Sequence, residues 1–371
     1  MLFRSGRAMK RFSLHGADIL VDAPLASAGA EAIRGVAAGR RIAVVSDAQV
    51  APKHALPLAA ALGMHPHDCF TVPAGEASKS REEWARLTDA MLARGFGRDS
   101  LVVAVGGGVV GDLAGFTAAT YMRGVPVVQV PTSLLAMIDA AIGGKTGVDT
   151  PTGKNLVGAF HQPALVLADH VTLATLPAPH IRNGLAEALK HAVITGAAEF
   201  EWLLAAAPAM QRAGGPDIAT AAELVERHIA IKVSVVARDE REAGLRKVLN
   251  TGHTIGHAIE TAVDYGMLHG ECVGIGLRVE AAIAHALGIA TASLEARITD
   301  ALRQFGLPLR PHVPVRPQAI LDATRADKKA RAGAVEYALL TDVGTPAAAD
   351  RAYGTPVPDD IVIRALEATL A

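Results

Sequence analysis

At 371 residues, half of them apolar and a fifth charged, the chain exceeds what one ordinary core needs and reads as a soluble globular protein of two domains. A formal net charge of -1 gives no overall field to draw in nucleic acid or an acidic membrane, so an anionic ligand must be held by a local cluster of cations. Two distant cysteines, Cys69 and Cys272, lack metal-ligand spacing, exclude a disulfide scaffold and fit a reducing cytoplasm.

The start, Met1 to Lys10, is basic, but no apolar run of signal-peptide length follows, and Met9 is a second candidate start. No stretch reaches the roughly 18 apolar residues of a membrane span. Short β-branched runs then recur at Ala17–Val21, Arg41–Ser46, Cys69–Val72, Leu101–Val105, Val125–Val130 and Leu165–Ala168. Between them, Glu82–Arg94 and Val110–Met122 carry apolar residues at helical spacing. Strands alternating with helices predict a mainly parallel sheet covered on both faces, an α/β domain. Beyond about residue 175 the pattern turns to Ala-rich amphipathic helices: Ile181–Ile194, Asp217–Ala237, Gly252–Val263, Gly274–Leu287 and Ser293–Phe305. A hairpin near Val335–Leu340 is the one candidate for further strand. The expected division is therefore 1–178 for the α/β domain and 179–371 for an α-helical domain. A ligand cleft is expected between them.

Gly106-Gly107-Gly108-Val109-Val110-Gly111-Asp112 follows a strand and opens a helix. Glycines let backbone N–H groups approach a phosphate, and a helix N-terminus favours its charge. The letters fit G-x-G-x-x-G, yet the turn follows the fourth strand rather than the first, so a plain tight turn remains a second reading. Gly144-Lys145-Thr146 resembles the tail of a P-loop, but Asp139 stands where the leading glycine belongs, which excludes that NTPase motif.

His253 and His257 are four apart at the start of a helix and share a face. His269 follows after a turn, and in an earlier helix Glu187 and Lys190 are three apart. A carboxylate with two imidazoles suits Zn²⁺ with one position open, and spacing does not decide which two of the three histidines serve. No glutamate follows His253, which excludes an HExxH protease. Arg123, Lys145, Lys154, Lys190, Lys232, Arg246 and Lys328 lie beside these motifs and suit a ligand with phosphate and carboxylate groups.

Across nearly its whole length the chain resembles the 3-dehydroquinate synthase family. The segments that carry this are Gly75–Ser80, Gly106–Asp112, Ala119–Pro126, Pro131–Gly147, Gly153–Asn155, Gly184–Glu187, Leu249–Glu260 and His269–Glu271. The resemblance implies Zn²⁺, with Co²⁺ as an acceptable substitute, on Glu187, His253 and His269, and His257 nearby. It implies NAD⁺ held by Asp47, Glu76 and Lys79, by Gly107, Gly108, Val109, Val110, Gly111 and Asp112 of the turn, and by Thr132 and Ser133. Lys145, Lys154 and the Thr172–Thr175 stretch, with Leu173, match further nucleotide contacts.

The implied reaction converts 3-deoxy-D-arabino-heptulosonate 7-phosphate into 3-dehydroquinate and phosphate, a shikimate-pathway step toward aromatic amino acids in which NAD⁺ is regenerated each turn. By resemblance Asp139, Lys190, Asn250 and His257 line the substrate pocket. Lys232 and Arg246 take the carboxylate, and Lys145, Asn155 and Lys328 take the phosphate. Arg123 matches an arginine that reaches the phosphate across a homodimer interface. The family's pattern is altered at Ser133, Met137, Ala140, Ala141, His161 and Thr251. The alternatives are another sugar-phosphate cyclase, such as 2-deoxy-scyllo-inosose synthase, a metal-dependent polyol dehydrogenase, or a non-catalytic binding protein.

Overall fold

A computed structural model describes residues 8–151, 153–327 and 335–370 of the chain. They form two compact units, one comprising the chain up to Leu176 together with Gly214–Val233, the other Pro177–Ala213 and Ser234 onward.

The first unit is built on a seven-stranded sheet: β1 (Lys10–Leu14), β2 (Ala17–Val21), β3 (Arg41–Asp47), β4 (Cys69–Val72), β5 (Ser100–Gly106), β6 (Val127–Pro131) and, later in the chain, a strand at Leu165–Ala168. Between β6 and that last strand runs a separate antiparallel ribbon of β7 (Lys145–Thr150) and β8 (Gly153–Phe160), so Leu165–Ala168 is β9. The sheet order is β1-β2-β9-β6-β5-β3-β4, and every pairing but the β1–β2 hairpin is parallel.

Alternation sorts the strand residues between two faces. Val44, Leu101, Val103, Val105, Val128 and Val130 pack with Ile33 and Leu58 of α1 (Ala30–Ala37) and α2 (Leu56–Ala61). Val45, Val102, Ala104 and Val127 pack with Leu87, Met91, Leu113 and Ala114 of α3 (Arg81–Ala93) and α4 (Gly108–Thr120). Both faces are covered, so β5 reads as an unbroken buried run rather than an alternating one.

In this unit β1 and both strands of the ribbon, β7 and β8, lie outside the predicted set. β1 pairs only through its hairpin, and its burial is slight until Leu14. β8 carries glycines in place of an apolar rhythm, and those glycines are what let the ribbon close. A Cβ on Gly158 would stand 2.2 Å from the Thr146 carbonyl oxygen.

The second unit is helical: α5 (Ala178–Thr195), α6 (Ala197–Met210), then, after α7 (Ile218–Val236), α8 (His253–Ala262), α9 (His269–Ala286), α10 (Ala292–Gln304), α11 (Pro317–Asp327) and α12 (Asp359–Leu370). α9 is the central element, packed by α5, α8, α10 and α12. The expected hairpin near Val335–Leu340 takes a different form. β10 (Glu336–Tyr337) pairs with the distant β13 (Thr355–Pro356), and the local hairpin is β11 (Leu340–Asp342) with β12 (Thr345–Pro346).

The expected division also needs correcting over Gly214–Val233, which groups with the first unit although it lies past residue 179. The cause is long-range: Lys232 pairs with Asp139, Glu226 pairs with Lys10, and Gly215 sits against Ala174. Among the described residues no helix is long and apolar enough to cross a membrane.

Candidate metal centre and nucleotide turn

Helix starts place the candidate ligands. His253 is the first residue of α8, with His257 one turn on, and His269 is the first residue of α9. Gly252 precedes His253 at φ +82°, a conformation that needs glycine, and a Cβ there would stand 2.7 Å from Leu277 Cγ. The ligand atoms of His253, His257 and His269 lie within 4.8 Å of one another.

Glu187, fully buried in the middle of α5, aims Oε1 into this group, 3.2 Å from His269 Nε2 and 3.6 Å from His253 Nε2. A tetrahedral zinc site with bonds of about 2.0–2.1 Å has ligands about 3.3 Å apart, so both separations from Glu187 Oε1 are close to those of such a site. The other imidazole nitrogens are tied outward. His269 Nδ1 is 3.1 Å from Glu260 Oε1 and His253 Nδ1 is 3.3 Å from the Thr251 carbonyl oxygen. Each acceptor favours the tautomer that turns the Nε2 lone pair inward. The donor set therefore fits a divalent metal.

The electrostatics agree. Burial alone would raise the Glu187 carboxyl, but Lys190, 2.5 Å from Oε2, and the two histidines hold it well below the usual carboxylate range. Burial, aided by Lys190 and the neighbouring imidazoles, pushes His253 well down despite Glu187. His269 goes the other way: against the effect of burial, Glu260 and Glu187 push it up to about 9. Glu260 and Glu187 thus favour positive charge on His269, whereas burial and Lys190 disfavour it on His253.

Just before α8, Arg246 is buried and donates to the Glu240 carbonyl oxygen, while Asp239 accepts from the backbone of Ala243, Gly244 and Arg246 at 3.0, 2.7 and 3.0 Å. Asn250 donates to the Glu242 carboxylate, and Glu242 itself sits at φ +61°.

In the first unit the glycine turn begins α4. Gly106, Gly107, Gly108 and Gly111 line a shallow cradle with Ala140 and Ala141. A Cβ on Gly111 would be 2.9 Å from Gln129 Oε1, and one on Gly107 would be 3.4 Å from Ser133 Oγ. Thr132 N donates to the Gly106 carbonyl oxygen at 2.9 Å, fixing the strand end against the turn. Under it lies a buried pair, Lys79 Nζ to Asp112 Oδ2 at 2.5 Å. Burial raises the Asp112 carboxyl even though Lys79 opposes it. Lys154 reaches Glu76 at 3.1 Å, and Asn155, at φ +55°, donates its N–H to Asp149 Oδ1 at 2.9 Å.

Several predicted contacts are narrowed by burial. Val110, Thr172 and Leu173 are buried as whole residues, so their side chains pack in the protein interior. Thr175 bonds His54 Nε2 at 2.7 Å, and Asp47 Oδ1 accepts from the N–H groups of Gln49 and Val50. Val109 is half-buried in the first turn of α4, Lys145 is exposed at the head of β7, and Arg123 is exposed at φ +71° beside Met122 at +51°. Lys328 lies outside the described residues.

Sequence reasoning missed Glu260 and Glu280. Glu260 was legible, since His253, His257 and Glu260 follow the i, i+4, i+7 rhythm of one helix face. Glu280, a charge inside the apolar run of α9, was a weaker signal.

Comparison with known proteins gives a consistent picture. A family profile described as 3-dehydroquinate synthase N-terminal matches residues 69–183, and one described as 3-dehydroquinate synthase C-terminal matches 184–330. A 3-dehydroquinate synthase of Symbiobacterium thermophilum is 46% identical over 318 residues, 85% of this chain and 88% of that one. One from Caulobacter vibrioides is 43% identical over 338 residues, 88% and 90% of the two chains.

Among solved structures, a 2-deoxy-scyllo-inosose synthase complexed with carbaglucose-6-phosphate, NAD⁺ and Co²⁺ superposes with a TM-score of 0.85 at 25% identity, covering 98% of this chain and 100% of that one. A 2-epi-5-epi-valiolone synthase from Streptomyces hygroscopicus subsp. jinggangensis, with NAD⁺ and Zn²⁺ bound, gives 0.82 at 31% identity, covering 98% of each.

Proposed function

The chain belongs to the 3-dehydroquinate synthase family, and we propose from that premise that it works with a resident NAD⁺ and a divalent metal, Zn²⁺ by preference, on Glu187, His253 and His269. Its reaction turns 3-deoxy-D-arabino-heptulosonate 7-phosphate into 3-dehydroquinate and phosphate. The observation that carries the metal assignment is the 3.2 and 3.6 Å spacing of the Glu187 oxygen from two inward-facing Nε2 atoms. The two neighbours solved with NAD⁺ and Co²⁺ or Zn²⁺ support it.

When bound, the metal would favour the ionised form of a substrate hydroxyl and NAD⁺ would accept and return a hydride. The chain's own residues do the rest. Glu260 and the Thr251 carbonyl orient the two imidazoles, and Lys190 keeps Glu187 ionised and in place. In the second unit Arg246 recognises the substrate carboxylate and Asn250 lines the substrate pocket, each already oriented by an acceptor on the Asp239–Glu242 turn. In the first unit, the glycine turn and Lys79–Asp112 receive the dinucleotide, Lys145 and Asn155 the phosphate, and Lys232, held by Asp139, the carboxylate. Arg123 is assigned to the phosphate of a partner copy in a homodimer.

The test is phosphate release from zinc-loaded protein given 3-deoxy-D-arabino-heptulosonate 7-phosphate and catalytic NAD⁺. 3-Dehydroquinate should form, and a chelator or His269→Ala should abolish it. Turnover of glucose 6-phosphate or sedoheptulose 7-phosphate instead would overturn the substrate assignment. A lasting rise in absorbance from NADH would mark a dehydrogenase.

A further inference from the structure

α8 and α9 each begin with a proposed metal ligand, and one buried carboxylate joins them. Glu280 lies about three turns into α9, among Ile275, Leu277, Val279 and Ile283, and is only 2% exposed. An ionised carboxyl placed in such surroundings is costly unless hydrogen bonds offset its lost hydration. Its bonds go to the N-terminus of α8: Oε2 accepts from Gly252 N at 2.6 Å and Oε1 from Ile255 N at 3.2 Å.

Those two amides bracket His253. Gly252 occupies the capping position of α8 but has no side chain to cap with, and its positive φ together with the nearness of Leu277 demands that it stay glycine. The cap is therefore supplied from the neighbouring helix, and a carboxylate there also suits the positive end of the α8 dipole. α9 opens differently: its own Glu271 reaches back to Leu268 N at 3.0 Å. At α9 a neighbouring helix contributes as well, since Gly270 N donates to Asn183 Oδ1 of α5, the helix of Glu187, at 2.5 Å; at α8 the cap ties the two histidine-bearing helices to each other.

We propose that Glu280 is a positioning residue of the metal centre. By holding Gly252 N and Ile255 N it fixes the first turn of α8 against α9, and so sets His253 Nε2 relative to His269. The proposal rests on the reading that Glu187, His253 and His269 hold a metal.

The test uses the full chain, stripped of metal and titrated with Zn²⁺ against a competing chelator. Co²⁺ absorption serves as a readout of ligand geometry. Glu280→Gln keeps the shape but turns one acceptor into a donor facing an N–H. It should bind Zn²⁺ about 10–100-fold more weakly, the usual scale for losing a group that orients a ligand. Its Co²⁺ bands should shift. Glu280→Asp keeps the charge but shortens the reach by one methylene, and is expected to fall in between.

Wild-type affinity and an unchanged Co²⁺ spectrum in Glu280→Gln, with only a lower Tm, would make Glu280 a structural cap and overturn the proposal. Should neither variant fold, the wild type decides. Coupling is reciprocal, so Zn²⁺ should slow hydrogen exchange at the Gly252 and Ile255 amides, and no change there refutes the link. His269→Ala separates the two levels of inference. If the wild type binds Zn²⁺ no better than His269→Ala does, the metal reading fails, and the proposal with it. If the wild type alone binds Zn²⁺ while Glu280→Gln matches it, only the role of Glu280 falls.

Discussion

Glu187→Met is expected to destabilise the protein by about 3–5 kcal/mol, the scale for leaving one member of a buried ion pair without the other, and to abolish metal binding. Glu187 is 0% exposed and Lys190 1%, with 2.5 Å between carboxylate and ammonium, so the loss takes a counter-charge away from an ammonium in the α5 interior beside two imidazoles. Adding Lys190→Met removes that ammonium. Replacing both members of a buried pair by apolar groups of similar size is often neutral or stabilising. The double variant should therefore recover most of the stability of the single one and none of the metal binding.

Denaturant unfolding in the presence of chelator measures the first quantity, and retained Zn²⁺ after dialysis measures the second. A double variant no more stable than Glu187→Met would show that the loss comes from packing and not from the buried ammonium that has lost this carboxylate. A single variant that keeps its Zn²⁺ would remove Glu187 from the ligand set and leave the three histidines.

What the sequence made legible was local. Runs such as Leu101–Val105 and Leu165–Ala168 are strands because β-branched residues buried on both faces need no alternation, and they stand within a residue of where they were read. The turn at Gly106–Asp112 and the His253–His257 pair were visible because one needs adjacent glycines and the other a single helical turn. What escaped depends on pairings far apart in the chain. Nothing around Gly214–Val233 announces that Lys232 will meet Asp139, and so its membership of the first unit could not be read from its helical rhythm. β8 escaped because its glycines, needed for close approach of the ribbon, erase the apolar pattern by which strands are recognised. Glu280 escaped for the same kind of reason: its partners are the backbone of a helix that begins 27 residues earlier. The resemblance supplied the ligand roles, while the geometry adds the groups that aim them.

The second large effect concerns the closeness of α8 and α9. Gly274 and Gly276 sit two residues apart on α9, and both meet something when given a side chain. A Cβ on Gly274 would stand 2.8 Å from Leu302 Cδ2, the far end of a flexible side chain. One on Gly276 would stand 2.0 Å from the Gly252 carbonyl oxygen and 2.8 Å from Gly256 N, which are backbone. Alanine gains about 1 kcal/mol over glycine in a helix interior. Gly274→Ala can use that gain to offset a small shift of Leu302, and should change stability by less than about 1 kcal/mol. Gly276→Ala cannot, because Cβ atoms essentially never come within 3.0 Å of another heavy atom, so the Gly252 end of α8 must retreat by an ångström or so. Overpacking of this kind costs about 1–3 kcal/mol or more. The retreat also exceeds the roughly 0.5 Å within which a metal constellation must be held. Gly276→Ala is therefore expected to lose about 1–3 kcal/mol of stability and to bind Zn²⁺ about 10–100-fold more weakly, with Gly274→Ala close to wild type in both. Should the two variants bind Zn²⁺ equally well, the ligand geometry does not depend on how tightly α8 lies on α9.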